Sequence, residues 1–193
     1  MESKKINPKH AAHLNDPRRI QIQNPDLIWD KLDLLKPEVL VDIGAGTGFF
    51  AVPFAKKMEH GTIYACDLSE DMLKLLKENI PDDTRADIIP VRMDENEIPL
   101  ETEIADLVFM ANLHHELAEP PKLLAEAYRV LKRTGKMAII DWKKDASFGP
   151  PPSIRVTNDI IRTHMSETGL VNIQEYDVLK FHYFLVGEKT AAC

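Results

Sequence analysis

The residues best suited to do chemistry lie in Val39-Leu40-Val41-Asp42-Ile43-Gly44-Ala45-Gly46-Thr47-Gly48-Phe49-Phe50 and in the later segment Cys66-Asp67-Leu68-Ser69. An apolar run breaks into glycines separated by single residues, and an acid ends the next apolar run. Glycine lets a backbone turn through positive φ and approach a ligand more closely than a Cβ would permit. A carboxylate about twenty residues further on, at the end of the second strand, is placed to bind ribose hydroxyls. Together these features describe a nucleoside-binding crevice. A tight strand–helix turn with no ligand is the plainer alternative, weakened by the timely arrival of Asp67.

The spacing bears on which nucleoside is bound. Dinucleotide sites use G-x-G-x-x-G, with a pyrophosphate on the following helix N-terminus. Here the pattern is G-x-G-x-G, and Phe49 stands where the third glycine or alanine is expected. The loop has no basic residue, and Asp42 precedes it. A carboxylate there repels a pyrophosphate but suits the ammonium or sulfonium of S-adenosylmethionine, whose own carboxylate can be held by helix-terminal amides. On Val41-Asp42-Ile43-Gly44-Ala45-Gly46-Thr47-Gly48 the chain resembles the class I S-adenosylmethionine-dependent methyltransferases. The resemblance implies cofactor contacts from Asp42, Gly44, Ala45, Gly46, Thr47, Gly48 and Asp67, with Leu68 as an apolar wall against the adenine. It also places an acidic contact to the adenine amino group after the third strand, where Asp94 is preferred and Glu95 and Glu97 compete.

The crevice needs strands to carry it. Val39 to Ile43 is β-branched-rich without polar alternation, the pattern of a strand buried on both faces of a parallel sheet. Further strands are expected over 62–67, 86–93, 105–110 and 136–142, and a closing pair over 172–179 and 181–188. Helices are expected over 26–34, 48–58, from Ser69 to just before Pro81, and over 120–132 and 154–168. Ser69-Glu70-Asp71 supplies a capping serine and acids in the first turn, and Gly169 is a good helix-ending residue. Pro53, a turn into the helix 48–58, should cost stability or kink it. The linker 143–152 contains three consecutive prolines and is expected to be extended. Alternating strands and helices give a three-layer α/β sandwich. The resemblance makes it a doubly wound, Rossmann-like fold with a mostly parallel seven-stranded sheet and a C-terminal antiparallel strand. Residues 37–193 form this domain. Residues 1–36 form an arm and helix that, by analogy with the family, can lid the site.

In open α/β sheets the ligand sits beyond the carboxyl ends of the strands, so Asn112-Leu113-His114-His115-Glu116, following the fourth strand, should line the transferred methyl. Asn112 is taken as a cofactor contact. His114 and His115 are the candidate acid/base residues, with His115 on the acceptor side and His114 on the cofactor side or in packing. Histidine is the usual base where the attacking atom holds its proton at neutral pH. The alternative for both is an imidazole that merely holds the loop. Trp142 forms an acceptor wall or covers the core, and Glu126 with Arg129 reads as a surface or structural pair. Adjacent histidines are poor ligands for one ion, and no metal is expected.

The chain has 193 residues with 31 acidic and 24 basic side chains, for a net charge of −7. That balance argues against nucleic acid as a partner. No apolar stretch reaches membrane-span length, the first residues lack a signal-peptide core, and the two cysteines form no disulfide framework. A cytoplasmic location is expected. Besides the first loop, the segments Glu126–Lys132 and Gly135–Asp141 resemble the small group that includes the ubiquinone/menaquinone-biosynthesis C-methyltransferases. Arsenite methyltransferases rely on several cysteines, which this chain lacks, and no Asn/Asp-Pro-Pro-Tyr/Phe sequence marks amino methylation of adenine or glutamine. The expected activity is methyl transfer from S-adenosylmethionine to a small-molecule acceptor by in-line substitution. An RNA or protein methyltransferase, or a non-catalytic cofactor-binding module, is the alternative.

Overall fold

The computed structural model describes residues 18–190. Its centre is β1 (Val39–Ile43), paired in parallel with β2 (Thr62–Asp67) on one side and β4 (Ala105–Ala111) on the other. β3 (Asp87–Arg92) extends the sheet beyond β2, and β5 (Leu131–Trp142) extends it beyond β4, both in parallel. β7 (His182–Lys189) runs antiparallel to β5, and β6 (Leu170–Glu175) pairs antiparallel at the edge. The strand order is therefore β3-β2-β1-β4-β5-β7-β6. It reverses direction between β1 and β4, and that reversal opens the crevice where α/β sheets bind ligands.

The unbroken apolar character of β1 follows from burial on both faces. Leu40 packs with Ile28, Phe54 and Phe109, whereas Val41 and Ile43 pack on the other face with Leu124, Ala127 and Ile161. The first face carries α2 (Pro25–Leu32), α3 (Ala51–Lys57) and α4 (Glu70–Asn79). The second carries α5 (Pro120–Val130) and α6 (Asn158–Glu167). A four-residue helix, α1 (Arg19–Ile22), precedes these layers. Asn24 caps α2, accepting from the backbone N–H groups of Asp26 and Leu27. Ser69 caps α4 through Met72 as expected.

No helix fills the crossover between β3 and β4. Met93 and Ile98 from that loop are buried in the second core instead. The loop is stitched to α5: the Arg129 guanidinium donates to the carbonyls of Ile98 and Leu100, and Glu126 accepts from the Ile98 N–H. The Glu126–Arg129 pair is thus a structural clamp.

Several boundaries differ from the sequence expectation. α5 ends at Val130, and β5 already begins at Leu131. Its register then jumps, with Ala105 opposite Leu131 and Leu107 opposite Lys136. The extra residues bulge through Thr134 at φ 64°. α6 begins at Asn158 because Thr157 caps it, accepting from Ile160. α3 begins at Ala51, so Pro53 lies in its first turn, where a backbone N–H would lack an intrahelical partner. The expected penalty disappears. The closing strands begin at Leu170 and His182, with residues 176–181 between them. The arm residues 1–17 lie outside the described residues.

Candidate active site

The glycine loop is fastened to β2. Gly44 and Ala45 N–H groups both donate to the Cys66 carbonyl, at 2.8 and 3.1 Å. Gly44, Gly46 and Gly48 have φ of 72°, 55° and 90°. At Gly48 a Cβ would come within 2.4 Å of Leu76 Cδ1, so α4 reaches the loop only because that side chain is missing. Thr47 is buried, and its carbonyl accepts from Asn79 Nδ2 at 3.0 Å. Asp67 closes the arrangement from the end of β2. Its Oδ2 accepts from the Gly46 N–H at 2.9 Å and its Oδ1 from the Ser69 N–H at 2.8 Å. Burial pushes this carboxyl upward against those hydrogen bonds and the charge of Arg92. Leu68 beside it is exposed and presents an apolar surface.

Asp42 lies beneath the loop, 4% exposed, and its Oδ2 has no hydrogen-bond partner. Burial pushes it up to about 7, opposed by Arg19 and reinforced by Asp67. The Arg19 guanidinium lies 4.0 Å from the centre of the Phe49 ring, and burial lowers it to about 10. A buried carboxylate oxygen lacking a partner is a place prepared for a donor or a cation.

Across the strand-order reversal, Asn112 leaves β4 with φ 56°. Its amide pairs twice with Gln23: Asn112 Nδ2 donates to Gln23 Oε1 at 2.9 Å, and Gln23 Nε2 donates to Asn112 Oδ1 at 3.0 Å. Gln23 is fully buried by this contact, which brings α1 onto the crevice. The two following histidines part company. His115 Nδ1 lies 2.7 Å from Asp141 Oδ1, and Asp141 Oδ2 accepts from the His115 backbone N–H at 2.9 Å. Burial works to lower the His115 pKa, but the hydrogen bond and charge of Asp141, together with Glu116, raise it above the usual value. His114 is buried and its Nε2 lies 3.1 Å from His164 Nδ1 on α6. Burial lowers it to about 4.

At the carboxyl end of β5, Trp142 stands opposite His182 in register, with ring centres 4.1 Å apart. Gly149 covers the indole, where a Cβ would fall 2.7 Å from Trp142 Cε3. The loop that brings it there is wrapped around Arg155, whose guanidinium donates to the carbonyls of Lys143, Lys144, Ala146, Phe148 and Pro150. Trp142 is thereby held between the loop and His182.

Residues 41–139 match a family model described as a methyltransferase domain. A crystal structure of an S-adenosylmethionine-dependent methyltransferase from Aquifex aeolicus superposes with a TM-score of 0.86 at 31% identity, covering 95% of this chain and 99% of that one. The chain belongs to the class I S-adenosylmethionine-dependent methyltransferases. The ubiquinone/menaquinone biosynthesis C-methyltransferase UbiE of Cupriavidus pinatubonensis is 28% identical over 169 residues, 75% of this chain and 69% of that protein. An uncharacterized chloroplastic methyltransferase of Arabidopsis thaliana is 34% identical over 101 residues, half of this chain but only 29% of its own length. Haemonchus contortus phosphoethanolamine N-methyltransferase 2 shares the fold, with a TM-score of 0.72 at 17% identity.

The cofactor of this methyltransferase is S-adenosylmethionine, and the residues present fit it. The unpartnered Asp42 oxygen suits a cationic donor, the positive-φ glycines put no Cβ atom in the way of a ligand, and Leu68 offers an apolar face. Asp94 and Glu95 follow β3 in a turn closed by the Asp94–Glu97 backbone pair, and both side chains are exposed. Asp94 lies just past Arg92, the register partner of Asp67. Of the two roles the sequence left to His114, the contacts described here are those of packing. Packed on His164 and driven neutral, it braces the β4 loop against α6. Sequence reasoning missed Gln23, Arg155 and His182, none of which lies in a recognisable motif. Among the described residues no group of three or more His, Cys, Asp or Glu could hold a metal, and no helix is long and apolar enough to cross a membrane.

Proposed function

We propose that this chain transfers a methyl group to a small-molecule acceptor bound between the β4 loop, the end of β5 and α1. The observation that carries the reading is Gln23, buried and twice hydrogen-bonded to Asn112, which seats α1 over the site where acceptor and cofactor must meet. A site covered in this way favours a small acceptor over a segment of RNA or protein. The macromolecular alternative calls for a basic face at Lys143 and Lys144. Lys143 instead pairs with Asp177 at 3.0 Å, and Lys144 donates to the Pro152 carbonyl at 3.2 Å.

Bound S-adenosylmethionine supplies an electrophilic methyl on a sulfonium. Asp67 takes the ribose hydroxyls, Asp42 holds the amino-acid end beneath the glycine loop, and Asp94 takes the adenine amino group. Asn112 and Gln23 wall the transfer site and exclude water. His115 is the base. With Asp141 accepting both from the His115 backbone N–H and from Nδ1–H, the ring presents a lone pair at Nε2. That nitrogen takes the proton of an attacking O–H or N–H. Calorimetric titration with S-adenosylmethionine, S-adenosylhomocysteine and NAD tests the cofactor site: the two sulfur nucleosides should bind and NAD should not. An acceptor screen with radiolabelled methyl donor then tests the small-molecule assignment, and methylation of bulk RNA or protein alone would overturn it.

A further inference from the structure

We propose that His182 is the residue through which this methyltransferase recognises its acceptor, and that the acceptor is an uncharged small molecule bearing a hydroxyl group. The inference rests on the small-molecule reading above. His182 opens β7 at the same edge of the sheet as Asp42 and Asn112, in register with Trp142. Its ring is 0% exposed, and neither Nδ1 nor Nε2 has a hydrogen-bond partner. Leaving both nitrogens unsatisfied in the interior is unfavourable. The same face of β7 continues with Phe184 and Val186, which pack in the core, so an apolar side chain would serve the fold better at the first position. An imidazole there is offset only by a partner that arrives from outside.

The state of the ring defines that partner. Burial lowers the ring to about 3, against the charge of Asp141 and together with those of Arg19 and Lys143, so it stays neutral. A charged group brought against a neutral ring in a dry interior would be desolvated without an ion pair, so the partner is uncharged. A neutral imidazole offers one N–H and one lone pair, and the group that answers either is a hydroxyl, which both donates and accepts. The ring has little freedom to seek a partner elsewhere, because it rests on Trp142, itself pinned by Gly149. α1 is held to this side of the sheet by the Gln23–Asn112 pair.

The test uses the full chain with 15N-labelled histidine, saturated with S-adenosylhomocysteine, and follows the His182 ring nitrogens by NMR. Phenol and benzyl alcohol serve as hydroxyl probes, with benzylamine and benzoate as charged counterparts. A hydroxyl probe should shift the ring nitrogens, and His182→Phe should bind it about tenfold more weakly, the loss expected for one hydrogen bond. The variant should keep its affinity for S-adenosylhomocysteine and melt no lower than the parent. Ring nitrogens unmoved by either hydroxyl probe, or moved more by benzylamine or benzoate, would overturn the proposal. So would a variant that melts lower yet binds the hydroxyl probes as well as the parent, since His182 would then be satisfied by a structural water. Failure of the parent to bind S-adenosylhomocysteine would strike the methyltransferase reading itself, a separately visible result.

Discussion

Replacing His182 with Phe should flatten the acid side of the stability profile. In the folded protein burial lowers this imidazole to about 3, whereas in the unfolded chain it titrates near the ordinary value of about 6.5. Between those values the unfolded state binds a proton that the folded state refuses. The histidine's contribution is therefore fully present above about pH 6.5 and is lost as pH falls toward the folded pKa. Each pH unit in that window is worth about 1.4 kcal/mol, so between pH 6.5 and 5 the wild type should lose about 2 kcal/mol that His182→Phe retains. His114 acts in the same direction, and Asp42, raised to about 7, acts oppositely, its carboxyl staying protonated in the fold. Both are present in either protein and cancel in the difference. Urea unfolding at a series of pH values, followed by far-ultraviolet circular dichroism, measures that difference. Parallel curves for the two proteins would mean that the ring titrates alike folded and unfolded, and the description of His182 as a dry, neutral, unpartnered group would be wrong.

Asp67→Asn should weaken S-adenosylhomocysteine binding by about tenfold or more, with the loss of one charge-assisted bond; calorimetry showing unchanged affinity would remove the ribose assignment. Asp67→Ala should also lower the melting temperature, because the carboxylate secures both Gly46 and Ser69. His115→Ala should reduce turnover on an O–H or N–H acceptor more than it weakens cofactor binding, and turnover of the parent should rise with pH as the raised His115 loses its proton. Equal activity in the variant would return that ring to holding the loop. Gly48→Ala should cost about 1–3 kcal/mol from its φ of 90° and the contact with Leu76. Relieving the clash with Leu76→Ala should leave the backbone component in place, and an unfolding free energy equal to the parent's would refute the close approach of α4.

The strands around the crevice were legible because each carries its own local signal. β1 and β2 have the expected limits, since an apolar run ends where a glycine loop or an acid begins. Legibility failed where a long-range contact decides the boundary. Thr134-Gly135 looks like the stop of a helix, yet β5 reaches back past it to pair Leu131 with Ala105. The start of α6 was placed too early because residues 153–156 are recruited to a loop organised by Arg155, a side chain with no periodic signature. The site divides in the same manner. The glycine loop and Asp67 follow from spacing, whereas His115–Asp141, His114–His164 and Gln23–Asn112 join residues 26, 50 and 89 positions apart.

Those distant pairs belong to a wider pattern. Gln23, Asp42, Thr47, Asp67, His114, Asp141, Arg155 and His182 are buried polar residues, and every one lies at or just beyond the sheet edge where the parallel strands end. Lys189 is the exception, anchored at the opposite edge on the carbonyls of Tyr128 and Leu131. Burying polar groups opposes folding unless they are paired, and a core built for stability alone would spread few of them evenly. Here the pairing is also incomplete at that same edge, where an Asp42 oxygen, His114 Nδ1 and both nitrogens of His182 lack partners. Evenly distributed defects would point to loose packing. Unsatisfied groups gathered along one edge of the sheet point instead to ligands that complete them, a cation beside Asp42 and a hydroxyl beside His182.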